Sequence, residues 1–309
     1  MTRFSVSQLL STPSARVKGL DVHPERPWLL MALHDGSVVV WDYSANQLIK
    51  IFSVSASPVR SARFIARENW VAACTDDHRI RVFHLEANAE VASFVAHGDY
   101  VRDLAVHPTR PLLLSASDDR TIKSWDRSEN WSCTRVFKGH GHYVMSIALR
   151  PGSSDTNVAF VSGSLDHTAR LWSLDSDEAL GILRGHTKGI NAVAFNVSGS
   201  HVVTTSDDTT AKLWDVVTHN PVATLTGHTD NVTSAAFHPT LPLLVTGSED
   251  QTVRLWNTET QQTETVWTQG LGRAWAVRFL VDKPTAVAIG YDNGVQVVQV
   301  VQVDEASNL

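Results

Sequence analysis

Cysteine is scarce in this sequence, since the 309 residues include only Cys74 and Cys133. Without a C-x-x-C pair, two cysteines do not form the disulfide framework of a small secreted domain. No run of about 18 apolar residues occurs, so no transmembrane helix is predicted. The N-terminal stretch also lacks the apolar core of a secretory signal. Basic residues are few: 26 Lys and Arg against 32 Asp and Glu give a net charge of −6, which argues against a general nucleic-acid binder.

The sequence motifs of common enzyme classes are missing as well. There is no G-x-S-x-G, no H-E-x-x-H, no phosphate loop and no dinucleotide-binding glycine pattern. We therefore expect a protein that is not an enzyme, with no cofactor and no metal site. The closely spaced pair His140 and His142 does not change this expectation, because His140 belongs to the repeated structural set described below.

Tryptophan, in contrast, is abundant, with ten Trp against four Tyr. Several Trp recur near the end of a short alternating apolar run, at steps of 42 or 47 residues or twice 42, and Phe83 and Val298 occupy the same place in two further units. These landmark residues are Trp41, Phe83, Trp125, Trp172, Trp214, Trp256 and Val298. Seven units of about 42 residues, built from short strands and turn residues with no helical pattern, predict an all-β, seven-bladed β-propeller.

The two ends of the chain predict how the ring closes. The first full unit begins near Arg16 and the last ends with the strand GVQVVQV, which leaves blade seven one strand short. Residues 3–10, RFSVSQLL, alternate and have no partner of their own. We expect them to form the outermost strand of blade seven and to remove its open edge. The predicted domain is residues 1–304, with 305–309 as the C-terminal tail of a fragment.

Polar residues recur at fixed distances from the landmarks. An Asp lies six residues before each of the seven, and four units add a hydroxyl residue and a His. We expect the His, hydroxyl, Asp and Trp of each unit to form one buried hydrogen-bonded tetrad. Repetition in separate blades favours this structural role over metal or catalytic sites. The predicted tetrads are His97, Ser115, Asp119, Trp125; His140, Ser162, Asp166, Trp172; His186, Thr204, Asp208, Trp214; and His228, Thr246, Asp250, Trp256.

These repeats resemble a known family. SASDDRTIKSWD, SGSLDHTARLWS, TTSDDTTAKLWD and TGSEDQTVRLWN are similar to the repeats of WD-repeat proteins. The resemblance covers the whole chain and implies a seven-bladed propeller of four-stranded sheets. It says little about function, because propellers of this family are mostly platforms for binding partners.

Charged residues are unevenly distributed over one end of the predicted propeller. In each blade, the innermost strand begins at the same end of the propeller as the turn between the second and third strands. This end is here called the top face. Arg273, Arg16, Lys18 and Arg60 gather over blades seven, one and two, whereas Asp99 and Asp118 lie at blade three. A peptide with a free C-terminal carboxylate and a nearby lysine would match both charges. Further candidates for this groove are His34, Tyr100, Arg102, Tyr143, Asp207, Glu249 and Arg273.

Segments outside the repeat consensus resemble one particular group of WD-repeat proteins. SARVKGLDVHPERPWLL, PVRSARFIARENW and ENWSCTRVFKGHGHYVM look like the N-terminal propellers of coatomer beta-prime subunits. This resemblance implies a cargo-binding module that recognises C-terminal dilysine retrieval signals for Golgi-to-ER transport. Arg16, Lys18 and Arg60 would match the residues for the terminal carboxylate, and Asp99 and Asp118 those for a signal lysine. His34 departs from the Tyr that relatives often have, which puts selectivity at that position in doubt.

The same resemblance implies a location and partners. We expect a cytoplasmic protein that is peripheral on Golgi membranes and COPI-coated vesicles, contacts other coatomer subunits, binds no nucleic acid and does not insert into the membrane. Two alternatives stay open. The alpha subunit of coatomer shares the segments RVKGL and HYVM. A general WD-repeat scaffold, such as a ubiquitin-ligase substrate receptor, would bind through other loops and be indifferent to a free peptide C-terminus.

Overall fold

Short antiparallel strands make up almost the whole of the structure, a computed structural model that describes residues 2–10, 16–152, 158–270 and 272–302. Within these ranges, 28 strands form seven four-stranded sheets. A single turn of 3-10 helix, Ala66–Glu68, follows the sixth strand. The all-β, seven-bladed propeller predicted from the sequence is confirmed. The predicted tail, residues 305–309, lies outside the described residues.

The strands are numbered in chain order. Their bounds are β1 Thr2–Leu10, β2 Val17–Val22, β3 Trp28–Leu33, β4 Ser37–Asp42, β5 Gln47–Ser53, β6 Val59–Ile65, β7 Trp70–Thr75, β8 Arg79–His84, β9 Glu90–Val95, β10 Val101–Val106, β11 Leu112–Ser117, β12 Ile122–Asp126, β13 Ser132–Phe137, β14 Val144–Leu149, β15 Phe160–Ser164, β16 Thr168–Trp172, β17 Ala179–Arg184, β18 Ile190–Phe195, β19 His201–Ser206, β20 Ala211–Asp215, β21 Pro221–Leu225, β22 Val232–Phe237, β23 Leu243–Ser248, β24 Val253–Asn257, β25 Thr263–Trp267, β26 Ala274–Phe279, β27 Ala286–Tyr291 and β28 Gly294–Gln302.

Six blades are simple four-stranded meanders, which begin at β2, β6, β10, β14, β18 and β22. Blade seven consists of β26, β27 and β28 with β1 as its fourth, outermost strand. β1 runs antiparallel to β28, from Thr2 opposite Gln302 to Leu10 opposite Val295. The N-terminal strand therefore occupies the place that the sequence predicts, and the ring is closed by main-chain hydrogen bonds.

Apolar residues of adjacent blades pack against each other and form the core. In one cluster, Val17 and Leu20 of blade one pack with Ala276 and Ala288 of blade seven. Comparable clusters join each of the other pairs of neighbouring blades. Because both faces of most strands are covered in this way, the middle strands of the blades are almost entirely buried.

The repeated polar residues form the same hydrogen-bonded chain in four blades. In blade three, His97 Nδ1–H donates to Asp119 at 2.8 Å, His97 Nε2 lies 2.7 Å from Ser115 Oγ, and Trp125 Nε1–H donates to the same Oγ at 2.9 Å. Burial lowers the pKa of His97, so the neutral imidazole is the form that fits this chain. The corresponding residues of blades four, five and six make the same contacts at 2.7–2.8 Å.

The tetrad Asp also fixes the loops of the top face. Asp119 accepts the backbone N–H groups of Gly98 at 3.2 Å and Thr121 at 2.9 Å. These bonds hold the loop before β10 against the turn after β11. Asp99 and Asp118, the two candidate lysine ligands, lie next to the anchored residues. The structural repeat therefore positions the side chains of the candidate site.

Candidate functional site

A β-bulge at the start of every innermost strand provides one side chain per blade to the top face. In each blade, the register with the second strand slips across the second residue of the inner strand, as between Val17 and Gly19. A bulge re-aims the side chain at that point. The seven residues at the slip, here called the bulge ring, are Lys18, Arg60, Arg102, Met145, Asn191, Thr233 and Trp275.

Several bulge-ring residues bind a carboxylate of their own blade, sixteen residues further along the chain. Arg60 Nε and Nη2 contact the two oxygens of Asp76 at 2.7 and 2.6 Å. Asn191 Nδ2 donates to Asp207 at 2.7 Å. The carboxylate neutralises the Arg side chain and accepts the hydrogen bond of the Asn side chain. The charge of a paired bulge-ring residue is therefore not freely available to a ligand.

Lys18 is the exception among the bulge-ring cations. The position sixteen residues after it is His34, which is exposed and carries no carboxylate. Lys18 Nζ lies instead 3.2 Å from the centroid of the Trp275 ring, and it forms no ion pair with any residue that the structure describes. Burial, followed by the nearby charges of Arg60 and Arg16, lowers the pKa of Lys18 to about 7. The ammonium is therefore desolvated and available to an incoming anion.

Trp275 and Asp292 hold two further cations, Arg16 and Arg273, beside Lys18. Arg16 Nε lies 2.7 Å from Asp292, Arg273 Nε lies 3.1 Å from the same carboxylate, and Trp275 Nε1–H donates to it at 2.9 Å. The guanidinium carbons of Arg16 and Arg273 are 5.3 and 5.1 Å from the centroid of the Trp275 ring, which is within the range of cation–π attraction. The sequence-predicted basic residues of blades seven and one thus converge on one indole.

The acidic side of the top face contains one paired and one available carboxylate. Asp118 is only 4% exposed and forms a bidentate ion pair with Arg102, at 2.7 and 2.5 Å. Asp99 is half-buried and accepts the backbone N–H of Tyr100 at 2.8 Å. In the described part of the chain it has no ion-pair partner. Tyr100 is exposed beside them, with Arg102 lying 5.7 Å from its ring centroid.

The remaining groove candidates lie on the same face, and Tyr143 and Glu249 contact other side chains there. Tyr143 is half-buried, and its ring packs against that of His142 at 4.4 Å between centroids. Glu249 lies 3.2 Å from Arg273 Nη1 and accepts from Asn231 Nδ2 at 3.2 Å. Burial lowers the pKa of His34, and the charges of Arg60, Lys18 and Arg16 act in the same direction. His34 is therefore a neutral neighbour of the basic group.

The sequence interpretation did not assign three members of this arrangement to the candidate site, namely Asp76, Trp275 and Asp292. Asp292 was recognised only as the repeated Asp of blade seven, and in the structure its carboxylate binds Arg16, Arg273 and Trp275. The constant spacing of sixteen residues between a bulge-ring residue and its partner could have identified Asp76 from the sequence. The repeat places Trp275 at the same position as Lys18 and Arg60, but no spacing predicts its role, because its contacts cross from blade seven to blade one.

Within the described ranges, no group of three or more His, Cys, Asp or Glu residues is arranged to hold a metal ion. A helix of the length and apolar character needed to cross a bilayer is also absent from those ranges.

The fold and the repeats define a class of protein. Matches to the family described as WD domain, G-beta repeat cover residues 5–42, 46–84, 88–126, 131–173, 177–215 and 219–257. The chain therefore belongs to the WD-repeat family, as its repeats indicated. Residues from 258 onward, which include β25 of blade six and β26, β27 and β28 of blade seven, lie outside these matches.

Curated relatives narrow this class. The chain is 46% identical over 207 residues to coatomer subunit beta'-1 of Oryza sativa subsp. japonica, covering 66% of this chain and 22% of the relative. It is 43% identical over 197 residues to coatomer subunit beta' of Homo sapiens, covering 64% and 21%. The Rattus norvegicus subunit gives 42% over the same length. The chain thus matches about a fifth of the length of these relatives, and the resemblance to coatomer beta-prime subunits is confirmed.

Proposed function

We propose that this propeller is a non-enzymatic, cargo-binding module of a coatomer-type vesicle coat, which captures C-terminal dilysine signals of membrane proteins for Golgi-to-ER transport. The similarity to coatomer beta-prime subunits supports the coat assignment. The observation that carries the cargo assignment is the unpaired Lys18 ammonium over Trp275. In this proposal the protein is cytoplasmic and peripheral on Golgi membranes and COPI-coated vesicles, with other coatomer subunits as partners.

The terminal carboxylate of the signal binds at the basic group of blades seven, one and two. Lys18 receives it directly, because it is the cation of this group that has no carboxylate partner among the described residues. Arg16 and Arg60 flank this point and keep their ion pairs with Asp292 and Asp76. A charge-assisted bond of this kind contributes about 1.5–3 kcal/mol when it is shielded from water.

A lysine of the signal binds at blade three. Asp99 is the primary acceptor, because its carboxylate is half-buried and has no ion-pair partner in the described structure. Asp118 acts mainly by neutralising Arg102, which would otherwise repel the lysine. The exposed ring of Tyr100 supports the apolar stem of that lysine. Carboxylate and lysine are thus read at two separate points, which fixes the direction of the bound tail.

The binding strength follows from the small size of the ligand. A tail of a few residues buries little area and loses chain entropy when it binds. Its ionic contacts lie in a groove open to water, where salt screens them over a Debye length of about 8 Å. We therefore expect a dissociation constant of about 1 μM, or about −8 kcal/mol, that weakens as salt is raised.

The test is a calorimetric titration with an N-acetylated dilysine peptide, as the free acid and as the C-terminal amide. The free acid is expected to bind and the amide to bind at least about tenfold more weakly. Lys18→Ala should reduce binding of the free acid, while Lys283→Ala, which removes the same charge from the opposite end of the propeller, should not. Equal affinity for acid and amide would contradict the carboxylate site and favour a general WD-repeat scaffold.

A further inference from the structure

The central channel contains a cavity that the top-face site does not use. It has a volume of about 880 Å³ and opens among residues of the Pro-bearing turns, including Pro24, Glu25, His107 and Pro108, at the end opposite to the top face. A cavity of this size falls within the range of small-molecule binding sites.

One ring of side chains divides the channel into a charged arc and an apolar wall. The ring consists of the fifth residue of each innermost strand. Blades seven, one and two contribute charged side chains, and blades three to six contribute methyl groups. In blade order from seven, the ring is Arg278, Asp21, Arg63, Ala105, Ala148, Ala194 and Ala236.

Two charged groups of the channel, Arg63 and Asp103, form an ion pair and are also hydrogen-bonded to neighbouring residues. Arg63 Nη2 lies 2.8 Å from Asp103, and Arg63 Nε donates to the Leu104 carbonyl at 2.8 Å. Asp103 also accepts from Ser61 Oγ at 2.8 Å and from Ser146 Oγ at 3.1 Å. These bonds join blades two, three and four, so this pair has a structural role.

Arg278 has no comparable partner. Its Nη1 donates to the carbonyl of Val277 at 2.8 Å, and no carboxylate of the described residues forms an ion pair with it. Asp21, the next ring member, has one oxygen bound to the backbone N–H of Phe64 at 2.9 Å. Burial, and then the charge of Arg63, lowers the pKa of Arg278 to about 10, although the nearby charges of Asp21 and Asp103 act in the opposite direction. A desolvated guanidinium that forms no direct ion pair is unfavourable, and an anion that enters the cavity and contacts it would relieve that cost.

We propose that the channel binds a small monocarboxylate, whose carboxylate contacts Arg278 and whose short aliphatic part lies against the alanine wall. A guanidinium presents paired donors that fit a carboxylate. The negative charges of Asp21 and Asp103 near the same point disfavour more highly charged anions such as phosphate. The alanine methyl groups leave room for an apolar body and provide no other polar contact for it. This site is independent of the top-face groove.

The test uses butyrate as the probe, with butyramide and inorganic phosphate for comparison, in ligand-observed NMR titrations of the whole chain at constant ionic strength. Saturable butyrate binding is expected in the millimolar range, with butyramide and phosphate at least about tenfold weaker. Arg278→Ala should weaken butyrate binding about tenfold or more. Four blades already carry Ala at this ring position, so the variant should fold. Arg184→Ala, which removes an exposed cation from the outer edge of blade four, should leave binding unchanged.

A second variant tests the cavity independently of the charge. Ala148→Leu keeps Arg278 but fills the space across the channel, and it should also weaken butyrate binding. Thermal melting distinguishes a binding role of Arg278 from a structural one. Removal of a half-buried cation that forms no ion pair with the described residues should leave the melting temperature unchanged or raise it, whereas loss of a structural residue should lower it. Butyrate binding that is equal in wild type and Arg278→Ala, or the absence of saturable binding to the wild type, would overturn the proposal.

Discussion

Dilysine binding should depend on pH near neutrality, because the cation that receives the carboxylate is a desolvated lysine. Burial and the charges of Arg60 and Arg16 lower the pKa of Lys18 to about 7, whereas an exposed lysine titrates near about 10.4. The bound carboxylate stabilises the ammonium and raises this pKa again. Binding is therefore coupled to proton uptake, and affinity is expected to fall as the pH rises.

The size of the effect follows from the charged fraction of free Lys18. With a pKa of about 7, that fraction is about 0.9 at pH 6, about 0.5 at pH 7 and about 0.1 at pH 8. If only the ammonium form binds, the association constant falls about tenfold between pH 6 and pH 8, or about 1.4 kcal/mol. At pH 7 about half a proton is taken up for each peptide bound.

The assay is calorimetric titration of the N-acetylated peptide at pH 6, 7 and 8, in buffers of different ionisation enthalpy so that proton uptake is measured directly. The peptide itself carries no group that titrates in this range, since carboxylates titrate near about 4 and lysines near about 10.4. The lowered pKa of His34 keeps its imidazole neutral over most of the interval.

Lys18→Arg is the matched control, because a guanidinium stays charged at all three pH values. This variant should bind with little dependence on pH, whatever its absolute affinity. The reasoning would be refuted by a wild-type affinity that is constant from pH 6 to pH 8 without proton uptake. It would equally be refuted by a tenfold fall that persists unchanged in Lys18→Arg.

Four further predictions concern the fold and the two ends of the groove. Trp214→Ala removes a fully buried indole from its tetrad and should lower the free energy of unfolding by about 3–5 kcal/mol in urea denaturation; a loss under about 1 kcal/mol would contradict the packing described. Removing residues 1–10 exposes the edge of blade seven and should lower the melting temperature, which an unchanged melting curve would disprove. Asp99→Asn should abolish the preference for Lys over Ala at the signal position while the need for a free C-terminus remains, and a retained preference would place the lysine site elsewhere. His34→Asp gives Lys18 the same-blade carboxylate that Arg60 has, so dilysine binding should weaken; unchanged affinity would show that a same-blade partner does not control the availability of Lys18.

The fold could be predicted from the sequence because each blade repeats the same local constraints. The Asp six residues before Trp214, the hydroxyl of Thr204 and the preceding His186 recur at fixed offsets in other units. Their hydrogen bonds stay within one blade, so spacing along the chain is enough to identify them. The unpaired strand at residues 3–10 was assigned by the same logic, since every other blade accounts for its own four strands.

The candidate site was less predictable because its electrostatics depend on contacts between blades. The sequence places Arg16, Lys18 and Arg60 on the same face, but it does not reveal that Arg16 is held by Asp292 or that the Lys18 ammonium lies over Trp275. Asp118 could be recognised as a top-face acid from its turn position. Its burial and bidentate pairing with Arg102 follow from packing that an offset does not encode.

The bulge ring also explains how a propeller of this kind can present an unpaired charged side chain to a ligand. A bulge-ring cation followed sixteen residues later by an acid is neutralised within its own blade, as Arg60 is by Asp76. Replacing the acid, as with His34 in blade one, leaves the cation without that partner while the backbone of the blade stays the same. Recognition can therefore arise from a single change at the turn position, with no alteration of the tetrads or the strand pairing. The same scaffold can thus present different charge patterns, which is why the repeats identify the fold more readily than the ligand.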